Sequence, residues 1–326
     1  MFPERPSTYK GMQLVYLPSI QTKSLSTFTH TFVSALHLAF RRADVALFVN
    51  VANSPFCLIT KLAGIKTALN VDGQEWLRPK WGRTGKRYFL MSAKICGATT
   101  HRVITDAPEM QRIYRDEFNI DSVDIAYGAD FVEKRDPGKI AELGLESGEY
   151  YLTCCRLVPD NNVDLLIDGF KQSGSERTYA VVGDTPYKSA YVEKLKTQGG
   201  ANVRFLGQIN DQDLVDELYA NAYVYLHGHQ YGGTNPTLLR AMAARNCVIA
   251  LHTPFNTGVL EGSGLFFEKR PEALAEQIRA VDDDPEKAEA RGQQSLERVR
   301  QAFTWDHITD QYEALCFELS GRQRDA

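Results

Sequence analysis

Apolar residues along this chain follow two alternating rhythms. Short runs rich in β-branched and aromatic residues fall at 12–17, 45–49, 67–71, 102–105 and 122–125. Between them, residues 26–41, 55–63, 85–98 and 107–118 carry helical periodicity. After the polar segment FVEKRDPGKIAELGLESGE (131–149), the rhythm resumes with runs at 150–155, 179–182, 203–206, 222–226 and 248–250, interleaved with helical stretches. Such alternation predicts parallel sheets with crossover helices. The chain therefore reads as α/β, with two doubly wound domains at 1–130 and 150–300, a linker at 131–149 and a helical tail at 301–326. Doubly wound sheets take ligands at the carboxyl ends of their strands, so the site is expected in the cleft between the domains. The front is unusual, because MFPERPSTYKG is polar and structureless. The run at 12–17 is then expected as an inner piece of a sheet, in a first domain that lacks its first βα unit.

Composition changes this picture little. At 326 residues, with 43% hydrophobic and 24% charged residues, the chain has the make-up of a soluble globular protein. No apolar run approaches the ~20 residues of a membrane span, and no secretory signal is visible. Cys57, Cys96, Cys154, Cys155, Cys247 and Cys316 show no metal-ligand spacing and read as reduced structural thiols, which points to the cytoplasm. Charge is more telling. Residues 1–130 carry 16 Lys and Arg against 11 Asp and Glu, while the remainder carries 21 against 30. A basic first half and an acidic second half suggest that only the first faces something anionic.

The densest candidate chemistry lies in HGHQYGGTNPTLLRAMAA, from His227 to Ala244. A buried run (AYVYL) leads into a polar loop in which Gly232 and Gly233 let the backbone approach a ligand. Thr234 or Asn235 can cap a helix that starts at Pro236, and Leu238, Leu239, Met242 and Ala243 form its buried stripe. Free N–H groups and the helix dipole make this either an anion site, suited to a nucleotide diphosphate, or an ordinary strand-to-helix turn. Arg156, which follows the first strand of the second domain, can chelate phosphate or form a surface salt bridge. Asn162 or Asn161 can cap the helix after it. Asp72 ends TALNVD, where it can accept a proton from a hydroxyl, hydrogen-bond a sugar or cap its loop; Glu75 is a second candidate. His227 and His229 lack a third metal ligand, so they read as sugar or phosphate hydrogen-bonders or as structural residues. The run from Leu77 to Lys94 holds six Lys and Arg, no acid, and Trp81, Tyr88, Phe89, Leu90 and Met91 among them. It suits an anionic membrane surface or a solvated helix packing its aromatics inward. The acidic net charge and the lack of any recognised motif argue against nucleic acid.

Together with KGMQLVYLPSIQTKSLSTFTHTF, NVANSPF, NVDGQEWLRPKWG, YGAD, CRLVPDNNVDLLIDGF and TWDHITDQYEAL, this loop resembles the retaining glycosyltransferases of family 4. The resemblance is to the branch that includes bacterial rhamnosyltransferases of cell-envelope polysaccharide synthesis. It implies a GT-B fold of two Rossmann-like domains, with the last helix crossing back onto the first. Its implied donor is a nucleotide-sugar, dTDP-L-rhamnose or a UDP-sugar, with no metal. The donor set it implies is Arg156, Asn161, His227, His229, Gly232, Gly233, Thr234, Asn235, Thr237 and Arg240. A saccharide or lipid-linked acceptor would meet Asp72, Glu75, Trp76, Arg78 and Trp81, on a protein peripheral to the inner face of the plasma membrane. Asp72 and Arg156 would be the catalytic pair, in a front-face attack that retains configuration.

Two departures from the family stand out. Its Glu-x7-Glu pattern, whose second Glu accepts from the nucleotide ribose, is replaced here by Gly232 and Arg240. An arginine has donors only, so it would favour phosphate or pair with a neighbouring acid. The family's first βα unit also has no counterpart, which would leave a sheet edge for a dimer mate or partner chain to cover. A catalytically impaired scaffold that supports an active partner is thus the alternative function. A sugar-phosphate epimerase on the same fold fits less well, given the linker and the basic aromatic stretch.

Overall fold

The computed structural model describes residues 5–20, 26–41, 43–132, 137–185 and 189–323. Residues 1–4 and 21–25 of the front, and 133–136 of the expected linker, lie outside the described residues. The described chain starts with an exposed antiparallel hairpin, β1 (Thr8–Tyr9) and β2 (Met12–Gln13), followed by α1 (Ser26–Arg41). The run at 12–17 is therefore not an inner strand. Its residues are mostly exposed, with Met12, Val15 and Tyr16 each more than 40% accessible, and only Met12 and Gln13 pair, with the hairpin mate.

The first sheet consists of β3 (Val45–Val49), β4 (Lys66–Asn70), β5 (Arg102–Thr105) and β6 (Val123–Asp124), parallel and in that order. Its crossover helices are α2 (Ser54–Leu62), α3 (Arg83–Thr99) and α4 (Pro108–Phe118). Pro55 and Pro108 sit in the first turns of α2 and α4, where a missing N–H costs nothing. Asn119 ends α4 in the left-handed conformation at φ 56°. The core of this unit gathers Leu69, Val71, Trp76, Phe89, Met110 and Tyr114.

After the short α5 (Pro137–Ala141) comes a second, six-stranded parallel sheet. Its elements in chain order are β7 (Tyr150–Cys154), α6 (Val163–Ser173), β8 (Thr178–Val182), α7 (Ala190–Gly199), β9 (Val203–Gly207), α8 (Gln212–Asn221), β10 (Val224–His227), α9 (Pro236–Ala243), β11 (Cys247–Leu251), α10 (Pro254–Leu260), β12 (Leu265–Phe267), α11 (Pro271–Asp282) and α12 (Pro285–Ala302). The strand order is β12-β11-β10-β7-β8-β9, so the chain reverses direction beside β7 and β10. Loops diverge there and open a crevice. Strands β10 and β11 are buried on both faces, which explains their unbroken apolar runs.

The last helix, α13 (Trp305–Ser320), returns to the first sheet. Its Ile308, Leu315 and Leu319 pack on Ala68, Ile104 and Ile125, and Asn70 donates to the Tyr312 hydroxyl at 2.9 Å. Burying three such side chains contributes roughly 1.5–3 kcal/mol each. The chain thus crosses between the sheets twice, side by side, where Ala129 donates to the carbonyl of Phe303 at 2.8 Å and bridges to Thr304. No helix among the described residues is long and apolar enough to cross a membrane.

Candidate active site in the interdomain cleft

A cleft of about 960 Å³ opens between the carboxyl edges of the two sheets. Asp72, Glu75, Arg78 and Trp81 line it from the first domain, and Arg156, Gly232, Gly233, Thr234 and Asn235 from the second. The donor-side wall is the end of β10 turning into α9. Asn235 is the cap: its Oδ1 accepts from the Thr237 N–H at 3.0 Å and from the Thr237 hydroxyl at 2.8 Å. Gly232 has φ 136°, a conformation that only glycine adopts without strain. A Cβ on Gly73 would fall 2.8 Å from the Gly232 Cα, so the two loops meet backbone to backbone across the cleft.

On the opposite wall, Asp72 has left-handed backbone (φ 59°), held by its N–H donating to Asn70 Oδ1 at 3.0 Å. Glu75 is buried and fully engaged. It meets Arg78 at 2.8 Å and Lys80 at 2.9 Å, and accepts from the Trp81 indole at 2.7 Å. Burial alone would raise its pKa, but these partners outweigh burial and hold it below the ordinary carboxylate range. Arg78 also reaches Asp160 of the second domain at 3.6 Å, an ion pair across the cleft that is nearly closed to solvent.

Several expected site residues lie outside the cleft lining. Trp76 is in the core, edge-on to Tyr114 and Phe118, because the short helical turn 75–77 points it inward while Glu75 faces the cleft. Asn161 lies beneath Arg156 and donates to its carbonyl at 2.8 Å. Asn162 flanks α6, but its side-chain amide donates to the Gly228 carbonyl at 2.8 Å and caps no helix N–H. Thr237 faces its own cap residue. His227 and His229 stack beneath the loop with ring centroids 4.4 Å apart. Burial, with Arg78 and Arg156 nearby, drives His229 down to about 3, and burial also holds His227 far below its usual range. Both imidazoles are therefore neutral, and neither lines the cleft. Arg240 turns to α8, where it pairs with Asp216 at 2.6 Å. Among the described residues no group of three or more His, Cys, Asp or Glu is arranged to hold a metal ion.

The cleft also contains residues that the sequence pattern did not single out: Asn50, Asp106, Tyr127 and Tyr231. Asp106 could have been found by the rule that found Asp72, since it too lies just beyond the carboxyl end of a strand.

Residues 139–298 match the family described as Glycosyl transferases group 1, and residues 44–130 match a domain of unknown function, DUF1972. A curated relative is the GDP-mannose-dependent alpha-(1-6)-phosphatidylinositol dimannoside mannosyltransferase of Mycobacterium tuberculosis. It is 27% identical over 156 residues, which are 47% of this chain and 39% of that protein. The match thus spans well under half of the relative's length. Among solved structures, sucrose-phosphate synthase from Thermosynechococcus elongatus has a TM-score of 0.76 at 19% identity, covering 91% of this chain and 78% of that one. Anabaena HepE in complex with UDP has a TM-score of 0.74 at 18% identity, covering 90% and 83%. This chain has the fold of the GT-B glycosyltransferases, and its residues 139–298 match the glycosyl transferases group 1 family.

Proposed function

We propose that this protein transfers a hexose from a nucleotide-sugar to a saccharide or lipid-linked acceptor held in the interdomain cleft. The observation that carries the reading is the anion seat: the capped N-terminus of α9, with Gly232 and Gly233 before it, facing the same cavity as Arg156. Free N–H groups, the helix dipole and a guanidinium converge there on a space that suits a diphosphate. In the proposed reaction, the bond between the sugar C1 and the phosphate oxygen breaks, with its electron pair going to the diphosphate. The acceptor hydroxyl oxygen bonds to C1 on the same face, and its proton passes to the departing phosphate oxygen. Arg156 and the loop amides stabilise the charge that develops on the diphosphate. Asp72, on the facing wall, orients the acceptor hydroxyl or the sugar. The proposed donor is dTDP-L-rhamnose, with UDP-sugars and the GDP-mannose named for the curated relative as the other candidates. The basic face of α3 is proposed to rest on an anionic membrane that carries the acceptor, with the protein peripheral to the inner face of the plasma membrane.

The test is calorimetric titration with dTDP, UDP and GDP and with their sugars, followed by turnover assays with acceptor lipid. Micromolar binding of at least one nucleotide, weakened at least tenfold by Arg156→Ala, is the expected result. A folded protein that binds none of them would favour a scaffold without catalysis.

A further inference from the structure

Asp106 follows β5 at the carboxyl edge of the first sheet and is 1% exposed. Its Oδ1 has no hydrogen-bond partner among the described residues. The carboxyl group lies against the donor loop: a Cβ on Gly233 would fall 1.8 Å from Oδ1 and 2.3 Å from Oδ2. The Thr234 hydroxyl donates to the Asp106 backbone carbonyl, and the Thr234 N–H faces its side chain. An acid of the first domain thus lies against the Gly233–Thr234 stretch that leads into α9, beside the seat assigned above to a diphosphate. The ionisable groups that face it are Asp72 after β4, Asp124 on β6, Tyr114 on α4, Tyr127 after β6 and Tyr312 on α13. None of these is a cation. Burial first, then Asp72, pushes the Asp106 carboxyl up to about 7, against the pull of the Thr234 amide.

A diphosphate on the edge formed by Gly233 and Thr234 brings at least two negative charges to this carboxyl in a water-poor space. An ionised Asp106 would repel it, whereas a neutral carboxylic acid has an O–H to donate to a phosphate oxygen. We propose that Asp106 is a donor-contacting residue that meets the diphosphate as a neutral carboxylic acid, so that binding a nucleotide-sugar takes up one proton at this side chain. The inference rests on the donor-site reading above. It adds to that reading a residue from the acceptor-side domain and a pH dependence of donor affinity.

The experiment titrates the whole protein with UDP-glucose, GDP-mannose and a dTDP-hexose between about pH 6 and pH 8.5, using wild type and Asp106→Asn. Nucleotide-sugars are the right probes, because a diphosphate esterified at both ends does not titrate in this window. In wild type, Kd should rise toward tenfold per pH unit above about 7, the slope expected for one linked proton. Asp106→Asn, which keeps a donor and cannot ionise, should hold the low-pH affinity across the range. Calorimetry in two buffers of different ionisation heat should show proton uptake in wild type and none in the variant. A pH-independent wild-type Kd, or an unchanged pH dependence in Asp106→Asn, would overturn the proposal. If Asp106→Asn does not fold, the wild-type profile and its proton uptake decide. If folded wild type binds no nucleotide-sugar at any pH, the donor-site reading falls and takes this one with it, an outcome distinct from binding without pH dependence.

Discussion

Arg240 stands in the last turn of α9, and its guanidinium leaves the cleft for α8. Its Nε donates to Asp216 at 2.8 Å, its Nη1 to the Gln212 side chain at 3.0 Å, and its guanidinium carbon lies 5.5 Å from the centre of the Tyr219 ring. The pair is partly exposed, at 27% for Arg240 and 39% for Asp216, so it contributes in the range of exposed bridges, about 0.5–1 kcal/mol. Arg240→Ala should therefore lower unfolding stability in urea by about 1 kcal/mol. It should also leave nucleotide affinity within about twofold, because the side chain does not line the cleft. A tenfold change in affinity would place the guanidinium in the donor site after all. The residue scale is also where sequence reading was weakest. Residue type and spacing identified Arg156, Asp72 and the glycine pair as cleft residues, because a position just beyond a strand end determines which way a side chain faces. Trp76 and Arg240 went elsewhere because their direction depends on tertiary neighbours, a core of Tyr114 and Phe118 for one and an acid on α8 for the other.

Elements were far more legible than individual side chains. Helix α1 and strands β3 and β5 have the bounds that their periodicity predicts, and most other elements shift by one or two residues. The failures have physical causes. Residues 12–17 look like a strand, but apolar alternation cannot supply a sheet to join, and β12 is three residues long, too short for a period to show. The run from Leu77 to Lys94 sorts itself in the same way. Trp81 stacks near Phe89 with ring centroids 5.0 Å apart, and Tyr88 donates to the Ala52 carbonyl at 2.6 Å, so the aromatics turn inward. Arg83, Arg87, Met91 and Lys94 remain exposed along one stripe of α3, next to α2 with its exposed Leu58 and Leu62. A cation near an anionic surface is worth about 1 kcal/mol, so three together change partitioning by about two orders of magnitude. Arg83→Glu/Arg87→Glu/Lys94→Glu should abolish co-sedimentation with phosphatidylglycerol vesicles while leaving the melting temperature nearly unchanged. Wild type that fails to bind such vesicles at low salt would remove the membrane reading.

At the scale of the whole molecule, the two sheets are joined at the back and touch at the front. The paired crossing at Ala129 and Thr304 is a natural axis, because both connections between the sheets pass there side by side. At the front, the closed arrangement brings Gly73 against Gly232, Asp106 against Gly233, Arg78 toward Asp160 and Phe255 of α10 into the first domain's core. Breaking a nearly buried ion pair while leaving one charge behind is costly, commonly about 3–5 kcal/mol, and neutralising one partner without changing its shape costs less. Asp160→Asn should thus shift the balance between closed and open forms by about 1–2 kcal/mol toward open, roughly tenfold. Small-angle scattering without nucleotide should show a larger radius of gyration for Asp160→Asn than for wild type. A saturating nucleotide-sugar should bring the two together, because a diphosphate bridging Arg156 and the α9 loop to the facing wall replaces the lost contact. Asp160 is a member of neither core, so the thermal unfolding of the variant should stay close to that of wild type. Identical scattering curves without nucleotide would mean that the remaining interdomain contacts, Phe255 among them, hold the cleft shut without the ion pair, and that Arg78 serves Glu75 alone.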